Sequence, residues 1–245
     1  MIVGKLKRRR VVIDGAADAS TLRNKGFRGR NIGESLSLDL VTSSDLLIRK
    51  RIEIFDGGKR ITLKEIENMM TRGERKNAVA FHYLRSKGKK PLMRKGKLYL
   101  SGKRVLVYAE DEHIHFPLGR RGSSLLAITD PEWNCLLYSV SRVKLGGIVL
   151  GMHLKLDARE GELKRDGGKK GFSLGSALKY GSTYRIYDGH SPHAKYLMQL
   201  EKESRALDLV ARVRIAQSVR KAFLLGIQNK KKSELTFYEV RWIRQ

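Results

Sequence analysis

One structural pattern occurs twice in this chain. The segments RVLVYAEDEHIHFPL and YRIYDGHSPHAKYL both alternate like a strand that ends in a tyrosine, Tyr108 or Tyr187, and both continue into a polar turn with histidines. Further along, LLYSVSRVKLGGIVLGM and LVARVRIAQSVRKAFLLGI each predict an amphipathic helix that leads into a short apolar strand. The repeated order of elements predicts two copies of one mixed α/β unit.

Residues 1–75 differ from both copies and predict a small N-terminal α+β domain. Helical spacing extends over 39–48, RIEIF alternates like a strand, and DGGK marks a turn. TLKEIENMM predicts a short helix that Thr62 caps, with Glu65 three residues later. We therefore predict an α+β chain of three domains, at residues 1–75, 76–170 and 171–245.

The middle and last copies differ at positions that are suited to chemistry. Aligning VLGM with LLGI places Gly146 opposite Lys221 and Ser139 opposite Arg214. The middle copy thus lacks two cations that the last copy has. This difference predicts a degenerate, structural middle copy and a catalytic last copy.

The charge of the chain predicts a polyanionic partner. It has 51 Lys and Arg against 25 Asp and Glu, a formal net charge of +26, spread along the whole sequence. A folded surface that binds nucleic-acid phosphates is the leading interpretation, and an anionic membrane surface is the weaker one. The connector after the middle copy is acidic by contrast, and it is predicted to bind a basic pocket on another subunit through Asp157, Glu160 and Glu162.

The apolar residues and the cysteine content exclude several classes of protein. No run of about 18 apolar residues occurs, so no transmembrane helix is predicted. The single cysteine, Cys135, excludes an internal disulfide and a cysteine-based zinc site, and it is predicted to be a small core residue. A cytoplasmic protein is predicted.

Three residues of the last copy form a set that can cleave RNA without a metal ion. In such a reaction a base deprotonates the 2′-hydroxyl, an acid protonates the departing 5′ oxygen, and a cation stabilises the charge on the phosphate. Histidine titrates near pH 6.5 and suits the acid, whereas a tyrosine base needs nearby cations. The candidates are Tyr187, His193 and Lys221. The simpler alternative is a surface turn with incidental histidines, beside tyrosines that pack in a core.

A metal site is a poorer interpretation of the same region. His190 and His193 could share an ion, but Asp188 is the only adjacent carboxylate and no cysteine helps. The segment DAREGELK contains Asp157 and a Glu-x-Lys that begins at Glu162, a sparse signature of magnesium-dependent DNA nucleases. Because 31% of the residues are charged, this signature arises easily by chance. We therefore predict no metal and no cofactor.

Several motifs together resemble the archaeal tRNA-splicing endonucleases. LKYG, the strand ending in tyrosine, HAKYL and SVRK match that family's catalytic boxes, and NKGFRGRNIGESLSLDLVTSSDLLIRKRIEI is more loosely similar to its small N-terminal domain. The resemblance implies a restriction-nuclease-like catalytic domain with Tyr187 as base, His193 as acid and Lys221 as the transition-state cation. It favours His193 over His190 because HAKYL fits the family box.

The resemblance also implies how RNA is held and how subunits assemble. Members of the family sandwich a bulged base between two arginines, which correspond here to Arg214 and Arg241, with Arg244 as the alternative to the second. An acidic loop docks active units onto structural units, so a two-copy chain implies a homodimer. The implied substrate is precursor tRNA folded as a bulge–helix–bulge, cleaved to a 2′,3′-cyclic phosphate and a 5′-hydroxyl.

Two alternative hypotheses assign no catalytic activity to the chain. The chain could be a basic RNA-binding protein whose charge only contacts phosphates, in which case the three candidate residues are ordinary surface and core residues. It could also be a structural subunit, which is disfavoured because the last copy retains all three residues.

Overall fold

The computed structural model describes residues 1–118, 123–143, 145, 162–163, 172–188, 191–229 and 234–244. These residues divide into two units by their internal contacts. The first unit contains residues 1–107 and 127–135, and the second contains the other described residues between 108 and 244.

A mixed six-stranded sheet begins the first unit. Its strands are β1 (Ile2–Lys7), β2 (Arg10–Ile13), β3 (Arg30–Ile32), β4 (Ser35–Asp39), β5 (Ile52–Asp56) and β6 (Lys59–Ile61). Their order is β3-β4-β2-β1-β5-β6, with β1 and β5 parallel and the other neighbours antiparallel. The strand predicted from RIEIF is confirmed as β5, and Gly57 and Gly58 form the turn that follows it, with φ of 55° and 90°.

Three of the four helices described in the first unit, all except α1, begin at side-chain caps that are visible in the sequence. The four helices are α1 (Ala16–Asn24), α2 (Leu40–Ile48), α3 (Leu63–Met69) and α4 (Arg72–Ser86). At α2, the Asp39 carboxylate accepts the Thr42 N–H at 2.8 Å. At α3, the Glu65 N–H donates to the Thr62 hydroxyl and the Thr62 N–H donates to the Glu65 carboxylate. The predicted helices at 39–48 and 62–70 are therefore confirmed.

Two tight hairpins follow α4. They are built from β7 (Leu92–Arg94), β8 (Lys97–Leu100) and β9 (Lys103–Ala109), which pair antiparallel in that order. Both connections are two residues long, and both of their residues have positive φ: 48° and 69° at 95–96, and 49° and 76° at 101–102. These are the angles of type I′ turns, whose twist matches that of the flanking strands.

The second unit contains one long helix and a run of seven neighbouring strands of a mixed sheet. The elements that follow β9 are β10 (His113–His115), β11 (Ser123–Thr129), β12 (Cys135–Val143), β13 (Glu162–Leu163), β14 (Phe172–Ser176), β15 (Tyr184–Asp188), β16 (Tyr196–Leu200), β17 (Glu203–Arg205), α5 (Ala206–Ser218), β18 (Ala222–Asn229) and β19 (Glu234–Trp242). The sheet order is β13-β14-β15-β16-β18-β19-β12, while β10 pairs with β17. Only β16 and β18 are parallel among these pairs, and α5 lies between them in the chain.

The core confirms the predicted α+β class. In the second unit the apolar cluster joins the sheet strands through Leu174, Ile186, Met198, Leu224 and Phe237. In the first unit Cys135 is only 5% exposed, and burial raises the pKa of its thiol to about 12. The prediction that this cysteine is a core residue is confirmed.

The helix predicted from LLYSVSRVKLGG is wrong. Residues 135–143 form strand β12, which pairs antiparallel with β19 so that Ser139 lies opposite Arg241. Leu137, Tyr138 and Val140 are buried, and the aromatic and β-branched side chains of this segment favour a pleated surface over a helix. The alignment of this segment with α5, and of Ser139 with Arg214, therefore fails at this element.

The three-domain division stays a prediction. Its first boundary falls within α4, and its second falls among residues that lie outside the described ranges. In the part of the chain that the structure describes, no helix is both long enough and apolar enough to cross a bilayer.

Candidate active site

Tyr187 lies near the end of β15, which was predicted as a strand and is confirmed. Ile186 points into the core, and Tyr187 is half-buried on the opposite face. The neighbouring strand β14 carries Gly175 opposite Arg185, whose Nε donates to the Ser176 carbonyl at 2.8 Å. A Cβ at Gly175 would lie 3.3 Å from Cε2 of Tyr187 and 3.6 Å from the Arg185 guanidinium. The glycine therefore leaves room for the Arg185 guanidinium to lie over the Tyr187 ring, with its central carbon 5.6 Å from the ring centre.

His193 lies in the turn between β15 and β16. The Ser191 hydroxyl donates to the His193 carbonyl at 3.0 Å, and the His193 N–H donates back to that hydroxyl at 3.3 Å. The Lys195 N–H donates to the Ile186 carbonyl at 2.8 Å, so the turn is fixed against the residue that precedes Tyr187. The His193 side chain is exposed while the next residue, Ala194, is buried. His190, the alternative acid, lies outside the described residues.

Lys221 is not on the helix, where the sequence placed it, but follows the helix's C-terminal cap. Helix α5 ends at Ser218, and Arg220 has a φ of 57°. The Arg220 N–H donates to the Gln217 carbonyl and the Lys221 N–H to the Ala216 carbonyl, the bond pattern of a Schellman motif. The left-handed residue thus turns the chain out of the helix and directs Lys221 toward the sheet.

Hydrogen bonds bring Lys221 to the histidine turn. Its Nζ donates to the Ala194 carbonyl at 2.7 Å, and the N–H of Ala222 donates to the Lys195 carbonyl at 3.2 Å. These bonds lie at the starting ends of the parallel strands β16 and β18, where β15 also ends. The structure therefore brings Tyr187, the turn of His193, and Lys221 together at the same end of strands β15, β16 and β18.

A cavity of about 360 Å³ opens beside Lys221. Its walls come from α5, the segment after α5, and the end of β19. Among the described residues, one buried carboxylate, Glu239, lines it. Four described cations line it as well: Arg220, Lys221, Arg241 and Arg244. A concave surface with this excess of positive charge is suited to a phosphate group.

Trp242 lies at the same cavity, and the guanidinium groups of two arginines lie close to its ring. The guanidinium carbon of Arg214 is 5.7 Å from the centre of the ring, and that of Arg244 is 5.3 Å away. Cations at this distance are attracted by the ring's electron density. Trp242 was not predicted from the sequence, although its position between two arginines in VRWIR was a usable signal.

Arg241 is engaged differently from the other two arginines. Its Nε donates to the Glu239 carboxylate at 2.6 Å, and this hydrogen bond and the carboxylate charge raise the pKa of Arg241. The structure therefore brings Arg214 together with the alternative residue, Arg244, on one aromatic ring, while Arg241 forms an ion pair beside them.

The remaining predicted residues fall largely outside the described ranges. Asp157 and Glu160 are not among the described residues, and Glu162 begins the two-residue strand β13. The Glu-x-Lys signature lies in the same region. Within the residues that are described, no three His, Cys, Asp or Glu side chains form a group that could hold a metal ion.

Replacing Arg220 by glycine should stabilise the fold. Glycine adopts the left-handed conformation without the steric cost that other residues carry, so we expect the free energy of unfolding to rise by about 0.5–1 kcal/mol. Urea unfolding of Arg220→Gly against Arg220→Ala measures this, because both variants lose the guanidinium and only glycine relieves the backbone. Equal stability of the two variants would contradict the expectation.

Comparison with known proteins identifies the family. The model of the tRNA intron endonuclease N-terminal domain matches residues 2–67, and that of the tRNA intron endonuclease catalytic C-terminal domain matches residues 165–237. The two ranges together cover more than half of the 245 residues. The chain belongs to the tRNA intron endonuclease family, which confirms the family that the motifs suggested.

Curated relatives agree with this assignment over part of their length. The chain is 35% identical over 78 residues to the tRNA-splicing endonuclease of Pyrococcus abyssi and 36% identical over 78 residues to that of Pyrococcus horikoshii. Each alignment covers 31% of this chain and 45% of the relative. The Nanoarchaeum equitans tRNA-splicing endonuclease is 33% identical over 86 residues, 30% of this chain and 54% of that protein. The chain thus spans about half the length of the curated relatives it matches.

Proposed function

We propose that this chain is an endoribonuclease that cleaves intron-containing precursor tRNA by intramolecular transesterification. The observation that carries the proposal is the 2.7 Å hydrogen bond from Lys221 Nζ to the carbonyl of Ala194, the residue after His193. This bond supports an arrangement in which a cation and an imidazole act on the same phosphate. The family match over residues 165–237 supports the same activity.

In the proposed reaction each side chain has one task. Tyr187 removes the proton of the 2′-hydroxyl, and the 2′ oxygen attacks the adjacent phosphorus in line with the bond to the 5′ oxygen. That bond breaks as His193 donates a proton to the departing oxygen, which leaves a 2′,3′-cyclic phosphate and a 5′-hydroxyl. Lys221 keeps one N–H on the Ala194 carbonyl and has two more to stabilise the charge on the non-bridging oxygens. The reaction requires no metal ion and no cofactor.

The arginines are proposed to hold an unpaired base next to the cleaved bond. Guanidinium planes and indole rings both stack on exposed bases. Arg214 and Arg244 are the better supported pair, because both already lie against Trp242 beside the cavity. Arg241, the second arginine in the family pattern, is proposed to contact phosphate, in competition with its ion pair to Glu239.

The substrate and the assembly belong to the same proposal. We propose the bulge–helix–bulge form of precursor tRNA as substrate, because it displays the unpaired bases that such a site would bind. We propose a homodimer, in which the acidic connector docks on a basic surface of the second subunit through Asp157, Glu160 and Glu162. A cytoplasmic location is part of this proposal.

The test is cleavage of a bulge–helix–bulge RNA in excess EDTA. We expect the purified chain to cut at the bulges and to leave a 2′,3′-cyclic phosphate, since every proposed step uses side chains alone. Product ends are read by mass spectrometry. A matched hairpin RNA without bulges controls for general ribonuclease contamination and should stay intact.

Two outcomes would contradict the proposal. Activity that EDTA abolishes and magnesium restores would identify the metal-dependent alternative. Binding without cleavage in any condition would leave a basic RNA-binding protein. The molar mass in solution tests the homodimer separately, because a monomer that cleaves would contradict the assembly alone.

A further inference from the structure

The segment that follows α4, together with the two hairpins that it leads into, carries a dense group of cations. Residues 87–104 contain eight Lys or Arg and no Asp or Glu, and all eight cations are exposed. They are Lys87, Lys89, Lys90, Arg94, Lys95, Lys97, Lys103 and Arg104. This segment lies outside both ranges that the family models match, 2–67 and 165–237.

The backbone of this segment is fixed, so the cations are presented on a rigid surface. Leu98 and Val105 anchor β8 and β9 in the core at 1% and 3% exposure. The type I′ turns leave no spare residue in either connection, and the side-chain amide of Asn77 on α4 donates to the Gly96 carbonyl at 3.3 Å. A rigid group of cations loses less conformational entropy on binding than a flexible basic tail does.

Within the described part of the chain, the cations of this surface have no carboxylate partners. No carboxylate among the described residues lies within ion-pair distance of any of the eight. Elsewhere in the same unit, exposed cations pair with carboxylates at 2.7–3.0 Å, as at Lys5, Lys59 and Arg60. The register also places Arg94 directly opposite Lys97, with Lys95 between them in the turn. Like charges that face each other across strands are destabilising, so this arrangement costs stability unless an anion neutralises it.

We propose that this surface, the basic segment at 87–104, binds the phosphate backbone of RNA independently of the cleaved bond. The proposal rests on the proposed function for the identity of the polyanion. RNA backbone fits because phosphates recur along it at intervals that several fixed cations can contact at once. The contacts are to phosphate and not to base edges, so the surface accepts paired RNA of any sequence.

The test is the affinity for a plain RNA duplex, without bulges, of a variant that lacks the three cations of the first hairpin turn. The changes are Arg94→Gln, Lys95→Asn and Lys97→Gln, in which asparagine suits the left-handed turn position. We expect Kd to rise by about tenfold or more, and the plot of log K against log salt to become shallower by roughly 2 to 3 units. The matched control removes three paired cations of the same unit, by Lys5→Gln, Lys59→Gln and Arg60→Gln, with the same change in net charge.

The outcomes separate this surface from the cleavage site. Equal loss of affinity in both triple variants would overturn the proposal, since only net charge would then matter. Unchanged duplex binding in the hairpin variant would overturn it too, and cleavage by that variant would leave the proposed function intact. If the wild type binds duplex through the hairpins but cleaves no RNA, the surface stands and the proposed function fails. Loss of binding to vesicles of phosphatidylglycerol and phosphatidylcholine, with RNA binding retained, would assign the surface to a membrane instead.

Discussion

Replacing His193 by alanine should lower the rate of RNA cleavage by about 10²- to 10⁴-fold, while the affinity for uncleaved RNA changes by less than about twofold. The imidazole is exposed, and it is proposed to act only when the 5′ oxygen departs. A single exposed side chain contributes little to phosphate binding on a chain with 51 Lys and Arg. The loss should therefore appear in kcat and not in KM.

A change of leaving group tests the acid role directly. An RNA with sulfur in place of the bridging 5′ oxygen releases a thiolate, which needs no proton. On that substrate the His193→Ala variant should cleave about as fast as the wild type, whereas Tyr187→Phe should stay slow because the 2′-hydroxyl still needs a base. A side chain that only supports the fold would slow both substrates alike.

His115 provides the control for His193. It is another exposed histidine of the second unit, paired with Glu203 at 3.5 Å, and it has no task in the proposed reaction. His115→Ala should cleave at the wild-type rate. Wild-type activity in His193→Ala would contradict the assignment and make His190 the next candidate for the acid.

Replacing Lys221 by alanine should lower kcat by about 10²- to 10³-fold, or about 2.7–4 kcal/mol of transition-state stabilisation. Its ammonium is proposed to stabilise charge that develops only as the 2′ oxygen attacks. A cation with that role contributes more to the transition state than to binding of the substrate. RNA affinity should therefore fall far less than kcat.

A second substitution separates the charge of Lys221 from its hydrogen bond. Lys221→Gln keeps an N–H that can reach toward the Ala194 carbonyl but has no positive charge. If the charge matters, this variant is as slow as Lys221→Ala. Recovery of most activity in Lys221→Gln would show instead that the lysine positions the histidine turn. Lys202→Ala, which removes an exposed lysine elsewhere in the second unit, is the control.

Local patterns in the sequence predicted the elements whose causes are local. The capping box of Thr62 and Glu65 marked the start of α3, and the alternation around Tyr187 marked β15, because both signals depend on residues a few positions apart. The helix predicted for residues 135–143 was wrong, because that segment's structure depends on pairing with β19 about a hundred residues later in the chain.

The sequence predicted which residues form the candidate site but not how they are arranged. The motifs singled out Tyr187, His193 and Lys221, yet the bond from Lys221 to the Ala194 carbonyl depends on the Schellman motif and on the parallel pairing of β16 with β18. The contacts on Trp242 likewise depend on α5 packing beside β19, which no local pattern encodes.

The end of α5 also affects how the cavity tolerates its charge. The peptide dipoles of a helix add up to about half a negative charge at its C-terminus. Lys221 follows that terminus, and Arg220 lies within its cap. The helix macrodipole therefore partly offsets the mutual repulsion of the cations in the cavity. The effect is about 0.3–1 kcal/mol for each cation near the terminus. The site can thus keep a positive potential for an incoming anion without relying on further acidic side chains.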